Sequence, residues 1–181
     1  MQPGEVTSSM SLLMSYLASC FFIKNPNHLI PSRSFTIKNV IYFLILGIIV
    51  EGLIADFADG TLEVSLRLIM ATIAIASFLA LSKRLADFAN FYTAIFVCEN
   101  FIFTLAAVVE GIYFYMIMAK FGQEQSEMIA FTLGGILLVW YLAIIAYVIR
   151  RFSYHSVLES VLLSISYFVL TYGIPMMFMD M

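Results

Sequence analysis

The chain of 181 residues is 62% hydrophobic and only 12% charged, with a mean hydropathy of +0.99. No soluble domain of this length has enough interior to hide that much apolar surface, which excludes a water-soluble fold. The net charge of −3 says nothing by itself about partners, and no nucleic-acid partner is expected.

Lipid leaves backbone groups no hydrogen-bond partners except those within a helix or a closed barrel. The alternating pattern of a barrel is absent, so the composition predicts an all-α fold: a polytopic membrane bundle of five transmembrane helices preceded by an N-terminal interfacial amphipathic helix. Two regions follow, a cytoplasmic or interfacial segment over 1–37 and a five-helix domain over 38–181. In the first, the apolar run Met10–Ile23 is too short to cross a bilayer. Read as a helix, it gathers Ser8, Ser11, Ser15 and Ser19 on one face, with Met10, Leu13, Leu17 and Phe21 over the rest. Such a helix lies in the interface by apolar burial or packs under the bundle as a plug. Asn25 and Pro26 end it, and Pro31 keeps the following stretch irregular.

The spans run over about 39–55, 66–81, 91–111, 128–149 and 157–179. The third needs an argument, because Asp87 to Lys120 as one straight helix would be roughly 50 Å long. A bend near Gly111 is therefore expected, laying Tyr113, Phe114 and Tyr115 into the interface as an aromatic belt. The alternative is a helix that projects beyond the bilayer. The second span is rich in small residues, Ala71, Ala74, Ser77 and Ala80, which permit close helix approach. Gly134, Gly135 and Trp140 in the fourth, and the stripe Ser160, Ser164, Tyr167 and Thr171 in the fifth, likewise read as packing surfaces.

Basic residues set the orientation. Lys24, Arg33 and Lys38 precede the first span, Lys83 and Arg84 join the second to the third, and Arg150 and Arg151 join the fourth to the fifth. Arg67 and Lys120 fall on the other side with Asp56, Asp59, Glu63, Glu124, Glu127 and Asp180. This places the N-terminus in the cytoplasm and the C-terminus outside.

Three acids sit inside apolar stretches: Glu51, Glu99 and Glu110. A lipid-facing acid at mid-depth costs on the order of 2.5–3.5 kcal/mol, so these side chains should point into the bundle. Glu99, with Asn100 beside it, and Glu110 return to nearly the same helix face, and Glu51 lies within reach of Arg67, which Glu110 could share. Two readings follow. In one, the acids make interhelical polar contacts and an ion pair; in the other, they form a proton- or cation-binding track. Mid-membrane Lys, Arg and His are missing, which favours the first. Lys83, Arg84, Arg150 and Arg151 are candidates for anionic headgroups or a partner's acidic surface, and serve equally as topology determinants.

His28 and His155 are far apart in sequence, so no metal site is expected. Cys20 and Cys98 lie in different kinds of segment, which argues against a disulfide. No catalytic signature occurs and no cofactor is implied.

A cytoplasmic N-terminal segment, five closely spaced spans and an external C-terminus resemble the Yip family of small membrane proteins and their bacterial relatives. The stretches KRLADFANFYTAIF and WYLAIIAYVIRRF, within Lys83–Tyr172, carry this resemblance over about half the chain. The acidic Gly-Pro signature of the eukaryotic Yip proteins is not found, so Rab binding is not carried over. The resemblance implies a bacterial cytoplasmic (inner) membrane protein with a scaffolding or membrane-organising role. The expected function is thus a non-enzymatic accessory or scaffold subunit with a membrane-protein partner or a homo-oligomer. The alternative is an oligomeric proton-coupled or cation-conducting transporter using the intramembrane carboxylates.

Overall fold

The computed structural model describes residues 9–54 and 56–179. Within them the chain is all helical, and five helical segments are long and apolar enough to cross a membrane. Helix α1 covers Ser9–Cys20, α2 Arg33–Ile54, α3 Phe57–Leu81, α4 Phe88–Met118 and α5 Gln123–Ser153. The last span is composite: α6 over Val157–Phe168, a π-helical turn over Val169–Gly173, and α7 over Ile174–Met179.

The caps explain where the helices begin and why several are longer than the apolar runs. The Asp56 carboxylate accepts from the Ala58 and Asp59 amides at 2.6 and 3.1 Å, so α3 starts nine residues before the apolar stretch that begins near Leu66. Ser32 caps α2, its hydroxyl accepting from Phe35 N at 3.2 Å; α2 therefore begins at Arg33 and crosses the boundary expected near residue 37. Ser156 and Glu159 form a reciprocal capping box at the start of α6. Among the described residues, four helix ends turn through left-handed residues that are not glycine: Phe22, Lys83, Lys120 and Tyr154, with φ of 62, 56, 61 and 58°. At the first three, paired backbone bonds close the last turn, as with Arg84 N to Leu79 O at 2.8 Å and Lys83 N to Ala80 O at 3.1 Å.

Helix α4 runs without a break in its helical hydrogen bonding through Gly111, and its 31 residues span about 45 Å at 1.5 Å per residue. Glycine lowers helix propensity by only about 1 kcal/mol, and nothing lies within 4 Å of the Gly111 Cβ position, so no neighbour forces a break. The buried residues of α4 fall between Phe91 and Phe103, and those of α5, apart from Ser126, between Tyr141 and Phe152. The core therefore sits in the half of the bundle nearer the basic turns. Phe43, Phe96, Phe91, Phe152, Ile144 and Ile145 fill it, with edge-to-face ring pairs such as Phe91–Phe152 at 5.0 Å. Helices α2 and α3 approach closely: a Cβ on Gly60 would sit 2.9 Å from the Gly52 backbone nitrogen.

Helix α1 packs on α4 and α5 and buries Leu12, Tyr16, Ser19 and Cys20. Tyr16 donates to Asn90 Oδ1 at 2.8 Å, and burial pushes its phenol pKa upward. The serine face expected to point to water is thus split. Ser11 is exposed and Ser19 is buried, because the aromatic and sulfur positions, not the serines, decide which face docks.

Candidate functional site

The intramembrane acids Glu51 and Glu99 belong to one polar network. Glu99, 3% exposed, accepts from the Tyr141 hydroxyl at 2.7 Å and from the Tyr172 hydroxyl at 2.5 Å. The Arg67 guanidinium lies over the Tyr172 ring, 4.8 Å from its centroid. Arg67 then donates from Nη1 to Glu51 at 2.6 Å and from Nη2 to Glu63 at 2.5 Å. Glu51 lies on α2, Glu63 and Arg67 on α3, Glu99 on α4, Tyr141 on α5 and Tyr172 in the last span. One chain of ionic, cation–π and hydrogen-bond contacts therefore touches all five membrane-spanning segments.

The π-helical turn has a local cause that also delivers Tyr172. Pro175 has no N–H to give the Thr171 carbonyl, and its ring crowds that oxygen. The helix relaxes by widening, so that Ile174 N–H bonds to Val169 O. Thr171 is buried there, its hydroxyl bonded to Tyr167 O at 2.8 Å. Phe43, Phe96 and Ala71 complete the tightly packed surround of Glu99, Arg67, Tyr167 and Tyr172. Among the described residues, Arg67 Nε and the Tyr167 hydroxyl are buried there without a hydrogen-bond partner.

The structure brings Glu51 and Arg67 together and leaves Glu110 out. Glu110 is half-buried and has no hydrogen-bond or ion-pair partner among the described residues, so it does not share Arg67. Glu63, one helical turn from Arg67, takes that place. Glu110 borders instead an apolar cleft of about 230 Å³ lined by Ile102, Ala106, Gly134, Leu138, Tyr141 and Tyr172. Asn100 faces a different helix from Glu99: its Nδ2 donates to Asn39 O at 2.9 Å and Asn39 Oδ1 at 3.3 Å, tying α4 to α2.

The four basic loop residues separate into two roles. Arg84 is committed internally: its Nε pairs with Asp87 at 2.8 Å, Nη1 donates to Phe152 O, and its guanidinium lies over Tyr154. It clips the α3–α4 turn to the end of α5 and is not free for a headgroup. Lys83, Arg150 and Arg151 are exposed. Arg150 and Arg151 border a polar basin of about 390 Å³ with His28, His155, Tyr147 and Tyr154. The two histidines, distant in sequence, thus border the same basin.

Sequence reasoning missed Tyr141 and Tyr172 as partners of Glu99, and Glu63 as a partner of Arg67. The i, i+4 spacing of Glu63 and Arg67 was a readable signal. For Tyr172 the signal was Pro175, which marks a helical irregularity but does not say toward which helix it turns.

No protein-family model, curated protein or solved structure matches this chain. Fold and site define an α-helical, multi-pass membrane protein whose five spans are joined by a polar network.

Proposed function

We propose that this chain is a non-enzymatic accessory or scaffold subunit of a membrane assembly. In this reading it sits in a bacterial cytoplasmic membrane with its N-terminus in the cytoplasm, in the role implied by the Yip-like arrangement. The supporting observation is the reach of the network: Glu51 and Glu99 find their partners inside the bundle, and together with those partners they join all five spans. Buried polar pairs of this kind specify one arrangement of helices and suit a rigid element that presents fixed surfaces. The basin at Arg150 and Arg151 supplies such a surface for anionic headgroups or an acidic partner.

Crosslinking in the native membrane followed by affinity capture tests this reading. A recurrent partner in stoichiometric amount, lost on Arg150→Ala/Arg151→Ala, supports it.

A second reading, proton- or cation-coupled transport, is favoured by one observation, the π-helical turn that sets Tyr172 against Glu99, since such turns recur at functional sites. Proteoliposomes holding a pH-sensitive dye decide between the two. A proton flux present in the parent and abolished in Glu99→Gln moves the assignment to transport; no flux from a folded protein that still captures its partner retains the scaffold.

A further inference from the structure

Cys20 and Cys98 are the two cysteines of the chain, and the fold brings them into contact. Their sulfurs lie 3.3 Å apart, both as free thiols and both buried, although they come from α1 and α4. This overturns the separation expected from their places in the sequence. Cys20 is held there from several directions. The Trp140 indole donates to its carbonyl at 3.2 Å. The chain then turns through Phe22 at φ 62°, a conformation that a bulky side chain adopts only when its surroundings over-determine it.

We propose that Cys20 and Cys98 form a reversible dithiol–disulfide couple that locks α1 onto α4, oxidised by a lipid-soluble two-electron acceptor of the quinone class. Both S–H bonds break and one S–S bond forms. The two electrons and two protons pass to the quinone, whose carbonyl oxygens become the hydroxyls of the quinol. The sulfurs need to close from 3.3 Å to about 2.05 Å, a small adjustment of side chains already in contact. Burial among apolar groups shields these thiols from aqueous oxidants and selects for one that dissolves in the bilayer. A largely apolar groove of about 570 Å³ between α1, α2 and α4 is lined by Leu17 and Val97, near Cys20 and Cys98 in sequence; the two buried thiols are not on its wall, so a quinone seated there reaches them only when α1 opens locally. On its wall the exposed Lys38 ammonium offers a donor to a carbonyl oxygen, whereas the Tyr42, Thr104 and Asn39 side chains are bonded within the protein. In the reduced state α1 is held by noncovalent contacts such as Tyr16–Asn90 and Trp140–Cys20. Oxidation adds a covalent tie across the 78 positions that separate the cysteines.

The test uses the full chain in lipid nanodiscs, treated with decylubiquinone or, separately, with oxidised glutathione. Thiols are counted after denaturation by maleimide–polyethylene glycol, and linked peptides are identified by mass. The expected result is a monomer without free thiols carrying a Cys20–Cys98 peptide, formed about 10-fold faster with the quinone than with glutathione. The variants C20S and C98S each keep their remaining thiol. Amides of Ser9–Cys20 should exchange with deuterium about 10-fold more slowly in the oxidised form. Persistence of both thiols, or linkage only between chains, overturns the couple. Equal rates with the two oxidants overturn the quinone route, and unchanged exchange in α1 overturns the lock.

Discussion

At the scale of single residues, Glu99 and Arg67 show how a membrane interior holds ionisable side chains. Each phenol at Glu99 is a hydrogen-bond donor to a buried carboxyl, and such bonds contribute roughly 1.5–3 kcal/mol where the acceptor is charged. Tyr172→Phe and Tyr141→Phe should each lower stability by about that amount, read from chemical unfolding in detergent micelles. Arg67→Ala should be worse, about 3–5 kcal/mol, because it strands Glu51 and Glu63 together without their cation. Stabilities of the Arg67 variant equal to those of the phenylalanine variants would show that the pair is solvated. The Glu51–Arg67 pair was legible in the sequence because charges are rare in these spans, leaving few possible partners. The tyrosines were not, since the chain has 10 of them and their rings are at home on lipid-facing and core surfaces alike.

At the scale of elements, the structure turns on how helices end and where they deform. Because Pro175 denies the Thr171 carbonyl its helical donor, Pro175→Ala should regularise the last span and draw Tyr172 away from Glu99. In that background Tyr172→Phe should then lose most of its effect, a non-additivity of about 1 kcal/mol or more in a double-mutant cycle. Full additivity would mean that packing alone holds the turn. Lys120 occupies a left-handed position suited to glycine, so Lys120→Gly should stabilise by about 1 kcal/mol in thermal melts. Gly60→Ala should do the reverse, by about 1–3 kcal/mol, since its Cβ meets the backbone of α2. Element type was readable throughout from long apolar runs. Element length was not, because caps such as Asp56 and Ser32 carry a helix past the apolar window, and because α4 does not break at Gly111.

At the scale of the whole molecule, Lys83, Arg84, Arg150 and Arg151 lie where α3 and α5 end and Asp56 and Glu124 where those helices begin, the arrangement expected of a chain inserted with its basic loops in the cytoplasm. Single cysteines placed at Gly122 and Ser82 test that orientation. A membrane-impermeant maleimide should label the first in intact cells and the second only after permeabilisation, and the reverse pattern would invert the topology. The number of crossings, the all-helical class and the rarity of the intramembrane charges are properties of composition and run length. They are additive along the chain, so the sequence by itself determined them. Which side chains meet is not additive. That Arg67 takes Glu63 and leaves Glu110 alone, that two tyrosines converge on Glu99, and that Cys20 meets Cys98 depend on helix rotation, on one widened turn and on the docking of α1. Only the tertiary structure decided these, because each is settled by contacts between segments distant in sequence, where a rotation of a third of a turn exchanges one set of neighbours for another.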